Sequence, residues 1–570
     1  MGKPHRLVPW QERKQQMTNT MLTLLSRRRL EDTYASGRWR DDTIFSLVKQ
    51  HAERIPDRIA VRDRSGCISY KDLAARAEAL SRELSNAGVR QGQRVAVWLS
   101  SRIETAIVLV ACSRSGFVCC PSLHRDHTVS DILELMNRMR AAAFIGEKGY
   151  GADAARRDIF ASLDEVPTLK SIFKLAVTGS EDGDRLPSAP AGIDQGVNND
   201  PNLIVYLAFT SGTTGRPKGV MHSDNTLLAN ARAMIADWRF DVQSVIYTMS
   251  PLSHNLGLGS LILALAAGAE VVVHDLPRGA STLERIIEVG ATFIVGVPTH
   301  AMDLLGEMKA CNMSSPGAVK GFRISGASAP REVIAELIKT GVVPQSGYGM
   351  TEAGSHHYTR IDDDVDRVVQ TSGRCCDGYE VRIFSQDDID SEVPIGEIGQ
   401  IGGRGASLML GYFDDQSAND EAFNAEGWFM TGDLGRVDRD DYLQITGRKK
   451  DLIIRGGHNI HPARIENLAM QHPAVARAAA LPVPDRRLGE KVCLAVMLRP
   501  GCSVAPDEVL AHLDRSGLSR HDMPEYYLML DDIPLTASGK ILKRDIAAQI
   551  VDGKIVPSPI RFTPSETGAA

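Results

Sequence analysis

Ten residues from Thr210 to Gly219 read TSGTTGRPKG and continue the apolar, β-branched-rich run LIVYLAFT, which ends at Thr210. Glycines let a backbone approach a ligand closely, and inward-facing amides and hydroxyls cradle phosphate oxygens. Lys218 supplies the positive charge for such a cradle. A P-loop needs Gly directly before its lysine, and Pro217 stands there, so a Walker A loop is excluded. A mobile Gly/Ser/Thr linker is the alternative for such a composition, and the strand leading into this segment and the lysine within it argue against it.

Four further stretches carry chemistry. YGMTEAG, from Tyr348 to Gly354, sets an aromatic face, the Thr351 hydroxyl and the Glu352 carboxylate in one short loop. Tyr348 can stack on a purine, and Glu352 can hold Mg²⁺ against phosphate oxygens, because hard oxygen ligands suit that ion. TGDLG places Asp433 in a tight turn, where it can accept from both ribose hydroxyls or simply cap the turn. GRKKDLIIRGGHNIHPARIE runs from Gly447 to Glu466, which enters a helix, with Arg448 at an expected domain boundary. PLTASGKILKRD presents Lys540 after Ser538 and Gly539.

The elements that must position these groups read as alternating strands and helices. RIAVRD, RVAVWLS, AAFIGE, SVIYTMS, EVVVHD and FIVGVP are short apolar strands, interleaved with amphipathic stretches such as DLAARAEALSRELSNAG and TLERIIEVG. That rhythm predicts an α/β fold with mostly parallel sheets. A polar, Pro/Gly-rich connection, GDRLPSAPAGIDQGVNNDPN, leads into the phosphate segment. Beyond about residue 450 the pattern restarts with the strands AAALPVPD and KVCLAVMLRP and the helix APDEVLAHLDRSG, as expected of a smaller α+β domain with its own core. The expected organisation is an N-terminal arm (1–40), a large domain (41–449) and a small mobile domain (450–570), with no internal repeat.

At 570 residues the chain exceeds a single core. Its 43% hydrophobic and 24% charged content is that of a soluble globular protein. A net charge of −6 gives no global basic field for nucleic acid, although the arm containing SRRRLED is locally basic and can be a solvated helix face or touch an anionic surface. The arm lacks the apolar core of a signal peptide, and GLGSLILALAAGAEVVV is too short, and carries Glu270, to span a membrane. Nine cysteines without ligand spacing suggest buried apolar residues in a reducing cytosol, hence a cytoplasmic location.

In order and spacing, TSGTTGRPKG, YGMTE, TGD, GRKKDLI and PLTASGK resemble the motifs of the ANL superfamily of adenylate-forming enzymes, which includes acyl-CoA synthetases, adenylation domains and luciferases. The resemblance covers about residues 40 to 550. It implies a two-step ligase using ATP, Mg²⁺ and CoA. A carboxylate attacks the ATP α-phosphate to give acyl-AMP and pyrophosphate, and a thiol then displaces AMP. By the same resemblance Thr210, Ser211, Gly212, Thr213, Thr214, Gly215 and Lys218 hold the β- and γ-phosphates. Lys540, with Mg²⁺ at Glu352, stabilises the first transition state, and Thr351 positions the α-phosphate. Asp433 and Arg448 bind ribose. Gly326, Ala327 and Tyr348 form the adenine slot, with Ser328 where many relatives have Pro.

The small domain is expected to rotate about Lys450, carrying Lys540 away and bringing Gly456 and Gly457 to a pantetheine tunnel. The acyl pocket falls around SPLSHNLGLG, with His254 as an aromatic gate and Gly326 and Gly349 beside it. Asn255 stands where amino-acid-activating domains usually carry Asp, which argues against an α-amino acid. It can bond a ring hydroxyl, while Leu256 and Leu258 suggest a mostly apolar pocket. The expected substrate is a medium-sized apolar acid, aliphatic, alicyclic or aromatic. An acyl-CoA synthetase, a freestanding loader of a carrier protein and a silent AMP-binding regulator are the readings that remain, and a homodimer is allowed. The segment before Lys540 also resembles the recognition sequence of protein lysine acetyltransferases, which would silence its charge.

Overall fold

The computed structural model describes residues 21–178, 183–192, 194, 196–210, 217–277, 279–326, 329–456, 458–535 and 541–562. Ser211, Gly212, Thr213, Thr214, Gly215, Ala327, Gly457 and Lys540 therefore lie outside the described residues.

The chain is α/β, with two large, mostly parallel sheets, a four-stranded antiparallel sheet and a small C-terminal mixed sheet. The nine-stranded sheet runs in parallel from Val343–Met350 through Gly321–Ser325, Phe293–Gly296, Val245–Thr248 and Glu270–Val273 to Ile59–Asp63, and closes with antiparallel strands at both edges. The six-stranded sheet is parallel except for Lys218–Ser223, which pairs antiparallel with Ile204–Thr210. Strands covered on both faces read as unbroken apolar runs rather than alternating ones. Accordingly Arg94–Trp98 and Ala141–Glu147 are buried at every position. Helices Ile103–Ser115 and Asn255–Ala267 fill the interior between layers and are apolar nearly all round.

The apolar stretch that could be mistaken for a membrane segment is this second helix followed by the strand Glu270–Val273. Buried Glu270 is met by Arg62 at 2.7 Å. No helix among the described residues is long and apolar enough to cross a membrane.

From residue 21 onward the basic arm is anchored rather than merely solvated. Ser26 caps the helix Arg27–Ala35 by accepting from the Arg29 amide. Arg27 and Arg28 stay exposed, paired with Glu31 and Asp32. Arg29 turns inward, donates to the carbonyls of Gly405, Leu408 and Met409, and lies 5.6 Å from the Trp39 ring.

The four-stranded sheet (Tyr379–Phe384, Gly399–Gly405, Phe429–Val437, Leu443–Arg448) ends at Arg448. A 3₁₀ turn, Lys449–Asp451, with no buried residue, leads to Ile453. Ile453 belongs to a separate core with Ile465, Val492, Leu494 and Leu513.

Two glycines contrast tight packing at the large sheet's edge with open space at the entry to its central strand Phe293–Gly296. Gly373 has φ +78°, and a Cβ there would lie 1.9 Å from the Tyr358 carbonyl carbon; Gly290 has φ +65° and open space around it. Gly290→Ala should therefore cost only the left-handed strain of about 1 kcal/mol. Gly373→Ala must also move backbone, and should cost more than about 3 kcal/mol. Thermal unfolding of the two variants checks the contrast.

Candidate functional site

Thr210 and Lys218 face each other across an antiparallel hairpin, so the phosphate segment joins strand to strand, unlike the strand-to-helix P-loop. The Thr210 hydroxyl reaches the Lys218 carbonyl at 3.4 Å. A further segment, Met409–Phe413, lies along the outer strand of the hairpin. Leu410 N donates to Met221 O (2.9 Å), Met221 N to Gly411 O (3.1 Å) and Phe413 N to Gly219 O (2.6 Å). This lays the Tyr412 ring beneath Lys218, whose Nζ is 4.8 Å from the ring centroid. The Tyr412 hydroxyl donates to Glu352 Oε1 at 2.9 Å, and Met409 N donates to Glu352 O at 2.7 Å.

The sequence reading of YGMTEAG as one loop needs correction. Tyr348 to Met350 end a strand, Gly354 begins the next, and only Thr351 to Ala353 turn the chain. A Cβ at Gly349 would meet Gly354 O at 2.3 Å, so this tight return requires glycine. His222 fixes the turn from behind, its Nε2 donating to Thr351 O at 2.7 Å and its Nδ1 lying 3.0 Å from Thr226 Oγ1. Burial lowers the His222 pKa to about 4, so the ring is a neutral strut at physiological pH.

Asp433 also departs from the turn reading. It lies inside the strand Phe429–Val437, directly after Gly432 at φ +76°. Asp433 is buried, accepts from Tyr348 Oη at 2.6 Å, and pairs with Arg448 Nε at 3.0 Å across the sheet. Each carboxylate oxygen carries two lone pairs, so both retain room for a further donor such as a ribose hydroxyl. Burial and the neighbouring Asp433 carboxylate push the Tyr348 phenol well up, and Asp433 above all holds the Arg448 guanidinium above its usual value.

The Glu352 carboxyl is raised from its ordinary value chiefly by burial, with Asp433 adding to the rise, while Tyr412 and Lys218 counter it. No group of three or more His, Cys, Asp or Glu among the described residues forms a metal cage. One half-buried carboxylate close to Lys218 nonetheless fits Mg²⁺, which binds through one or two carboxylates and substrate phosphates.

Gly326 stands at φ +91° directly after the strand Gly321–Ser325 and is exposed. His254 precedes the helix Asn255–Ala267 and stacks on His124, with ring centroids 4.6 Å apart. Asn255 Nδ2 donates to Met350 O at 3.2 Å and so ties that helix to the Tyr348 strand. Gly456, at φ +59°, donates its amide to Leu488 O at 2.7 Å, and Lys450 is exposed on the 3₁₀ turn.

The structure thus gathers Thr210, Lys218, Tyr348, Thr351, Glu352, Asp433 and Arg448 around linked strand ends. Sequence reasoning missed Tyr412, His222 and His124. Only Tyr412 had a usable signal, an aromatic in the short Gly411-Tyr412-Phe413 stretch; the two histidines are recognisable only by what they touch.

The chain matches the AMP-binding enzyme family over residues 48–413 and that family's C-terminal domain over residues 464–540. It is 30% identical over 527 residues to the medium-chain fatty-acid–CoA ligase of Escherichia coli, covering 90% of this chain and 92% of that one. It is also 30% identical over 540 residues to a salicylyl-CoA synthase / salicylate adenylyltransferase of Streptomyces, covering 91% and 95%. ATP-bound MatB from Rhodopseudomonas palustris superposes with a TM-score of 0.76 at 27% identity, covering 90% of this chain and 99% of that structure. Sequence and architecture together place the chain in the AMP-binding (ANL) family of adenylate-forming ligases.

Proposed function

We propose that the protein is an AMP-forming acid–CoA ligase that activates a medium-sized, largely apolar carboxylic acid. The observation that carries this is the coupling of Lys218, Tyr412 and Glu352 beside the Tyr348–Asp433–Arg448 set. A phosphate-binding cation and a carboxylate thus stand next to an aromatic and acidic nucleoside slot. A carboxylate is a weak nucleophile approaching an anionic phosphate, so charge on both reactants must be screened. In the first step the acid's oxygen bonds to the α-phosphorus, the bond to the bridging oxygen breaks and pyrophosphate leaves. Lys218 draws charge from the leaving phosphates, Thr351 positions the α-phosphate, and Asp433 with Arg448 fixes the ribose. Mg²⁺ held at Glu352 would neutralise phosphate charge. Lys540 is assigned to the developing charge at the α-phosphate. In the second step the CoA thiolate attacks the acyl carbon and AMP departs, with the residues after Lys450 swung so that Gly456 and Gly457 line the thiol's path. Freestanding loading of an aryl-carrier protein is the second reading, favoured by a relative from Mycobacterium tuberculosis named as a salicyl-AMP ligase / salicyl-S-ArCP synthetase, 30% identical over 538 residues. Comparing CoA with a holo carrier protein as acceptor separates the two.

Three outcomes test the scheme. Lys540→Ala should abolish acyl-AMP formation, by about 100-fold or more, and leave thioester formation from supplied acyl-AMP largely intact. Equal loss in both half-reactions of a folded variant would contradict the alternation. Lys450→Pro should permit adenylation and block thioesterification, because a fixed φ prevents the rotation; normal CoA transfer would move the hinge elsewhere. Tyr412→Phe removes a hydrogen bond to ionised Glu352, so the carboxyl pKa rises further. The acidic limb of the adenylation pH profile should then shift to higher pH, with the deficit greatest at low pH and shrinking as pH rises. An unshifted limb would deny Glu352 its role as the required carboxylate.

A further inference from the structure

A narrow cleft with a cavity volume of about 40 Å³ lies between the helices Asp224–Trp238 and Asn255–Ala267 and the strands Gly321–Ser325 and Gly354–Tyr358. Its middle is apolar, lined by Leu227, Leu256 and Leu263. Arg323 also lines it, and is only 1% exposed. The strand carrying Arg323 leads to Gly326, so the arginine lies three residues, about 10 Å, back along the strand at ~3.3 Å per residue.

Arg323 is poorly compensated. Its Nη1 donates to Gln345 Oε1 at 2.9 Å, and the guanidinium lies 5.6 Å from the Tyr358 ring. Nε and Nη2 have no hydrogen-bond partner among the described residues, and neither does Gln345 Nε2. Asp237 nearby is taken by the Tyr358 hydroxyl at 2.8 Å and by Arg360 at 3.0 Å. Room for the guanidinium is made by Gly347 on the adjacent strand, where a Cβ would come within 2.7 Å of Nη2. Burial lowers the Arg323 pKa to about 10, which leaves it charged at physiological pH. A buried cation without a counter-charge is less favourable than an apolar residue of the same volume, so filling space does not account for it. Two convergent unpaired donors, with a side-chain amide alongside, match the fork that arginine offers to a carboxylate.

We propose that Arg323, assisted by Gln345, binds a second acceptor group on the substrate, so that the preferred acids carry a distal carboxylate, or failing that a keto oxygen, beyond an apolar spacer. This rests on reading the cleft as the acyl pocket of an acid-activating enzyme. Arg323 is then a specificity determinant with no part in the phosphoryl chemistry.

The test is pyrophosphate release with matched acids: six- to eight-carbon α,ω-dicarboxylic acids, oxo acids of the same length, and the corresponding unsubstituted acids. The wild-type enzyme should prefer the acceptor-bearing acids by about 10-fold or more in kcat/KM, since an acid lacking the acceptor leaves the site's polar groups unpaired. Arg323→Met should erase or reverse that preference while holding the unsubstituted acids within about threefold of wild type. Wild-type enzyme that favours the unsubstituted acids, or no turnover of any acceptor-bearing acid, overturns the proposal, and that panel decides even if the variant does not fold. Parallel loss of both classes in a folded Arg323→Met enzyme also overturns it. Pyrophosphate release precedes transfer. Selective acyl-AMP formation without thioester would therefore uphold this inference and sink the CoA-ligase reading, and efficient thioester formation from unsubstituted acids alone would do the reverse.

Discussion

The geometry of the site depends on one short backbone segment. Met409 to Phe413 hydrogen-bonds on one side to the outer strand of the phosphate hairpin and, through Met409 N, to the Glu352 carbonyl. Two sheets are tied by these few bonds, and one side chain, Tyr412, touches the key groups of both: its ring lies under Lys218 and its hydroxyl binds Glu352. The segment is itself held from outside. Leu24 N donates to Leu410 O at 2.9 Å, and Arg29 binds the carbonyls of Gly405, Leu408 and Met409. Carbonyls of an irregular segment must find donors if they are not to stay buried and unpaired. Leu24 and the helix that follows it supply them, and so belong to the scaffold of these contacts.

Charge in the site is distributed by the same logic. Asp433 has its two oxygens occupied by Tyr348 and Arg448, whereas Glu352 has one firm donor and a lysine further off. Burial therefore raises the Glu352 carboxyl, leaving it readier than Asp433 to gain from an incoming cation. Two supporting histidines are neutral: His222 at a pKa of about 4 holds the Thr351 carbonyl, and His124 at about 3 stacks on His254. Among the described residues, Lys218, Glu352, Asp433 and Arg448 are the charged groups that these contacts draw together.

Much of this was legible in sequence because parallel-sheet strands announce themselves as apolar runs and the chemistry sits at their ends. RVAVWLS, SVIYTMS and FIVGVP contain the strands Arg94–Trp98, Val245–Thr248 and Phe293–Gly296. The local form of the motifs was harder to read. TGDLG has the composition of a turn, yet it continues a nine-residue strand because cross-strand pairing with Leu443–Arg448 outweighs local preference and Gly432 absorbs the kink. The roles of Tyr412, flagged only as an aromatic in a short stretch, and of His222 and Arg323, not flagged at all, escaped the sequence for a different reason. Their roles come from contacts to residues 60, 129 and 22 positions away in sequence, and no local spacing encodes such contacts.

The passage from the large part of the chain to the small one follows from where burial stops. Arg448 ends its strand paired with Asp433, and Lys449 is fastened by its Nζ to Gln386 O at 2.7 Å. Burial resumes at Ile453, in a core that shares no residue with those of the large sheets. Lys450 lies in the gap, on a turn with nothing buried. Rotation at that point would expose no core and break no sheet, so its cost is confined to surface contacts such as that of His461 with Gly447, 3.6 Å from where a Cβ would stand. Rotation anywhere within the flanking strands would instead sacrifice cooperative pairing. A hinge in this chain is therefore cheapest between Lys449, which the large part holds, and Ile453, which the small part buries.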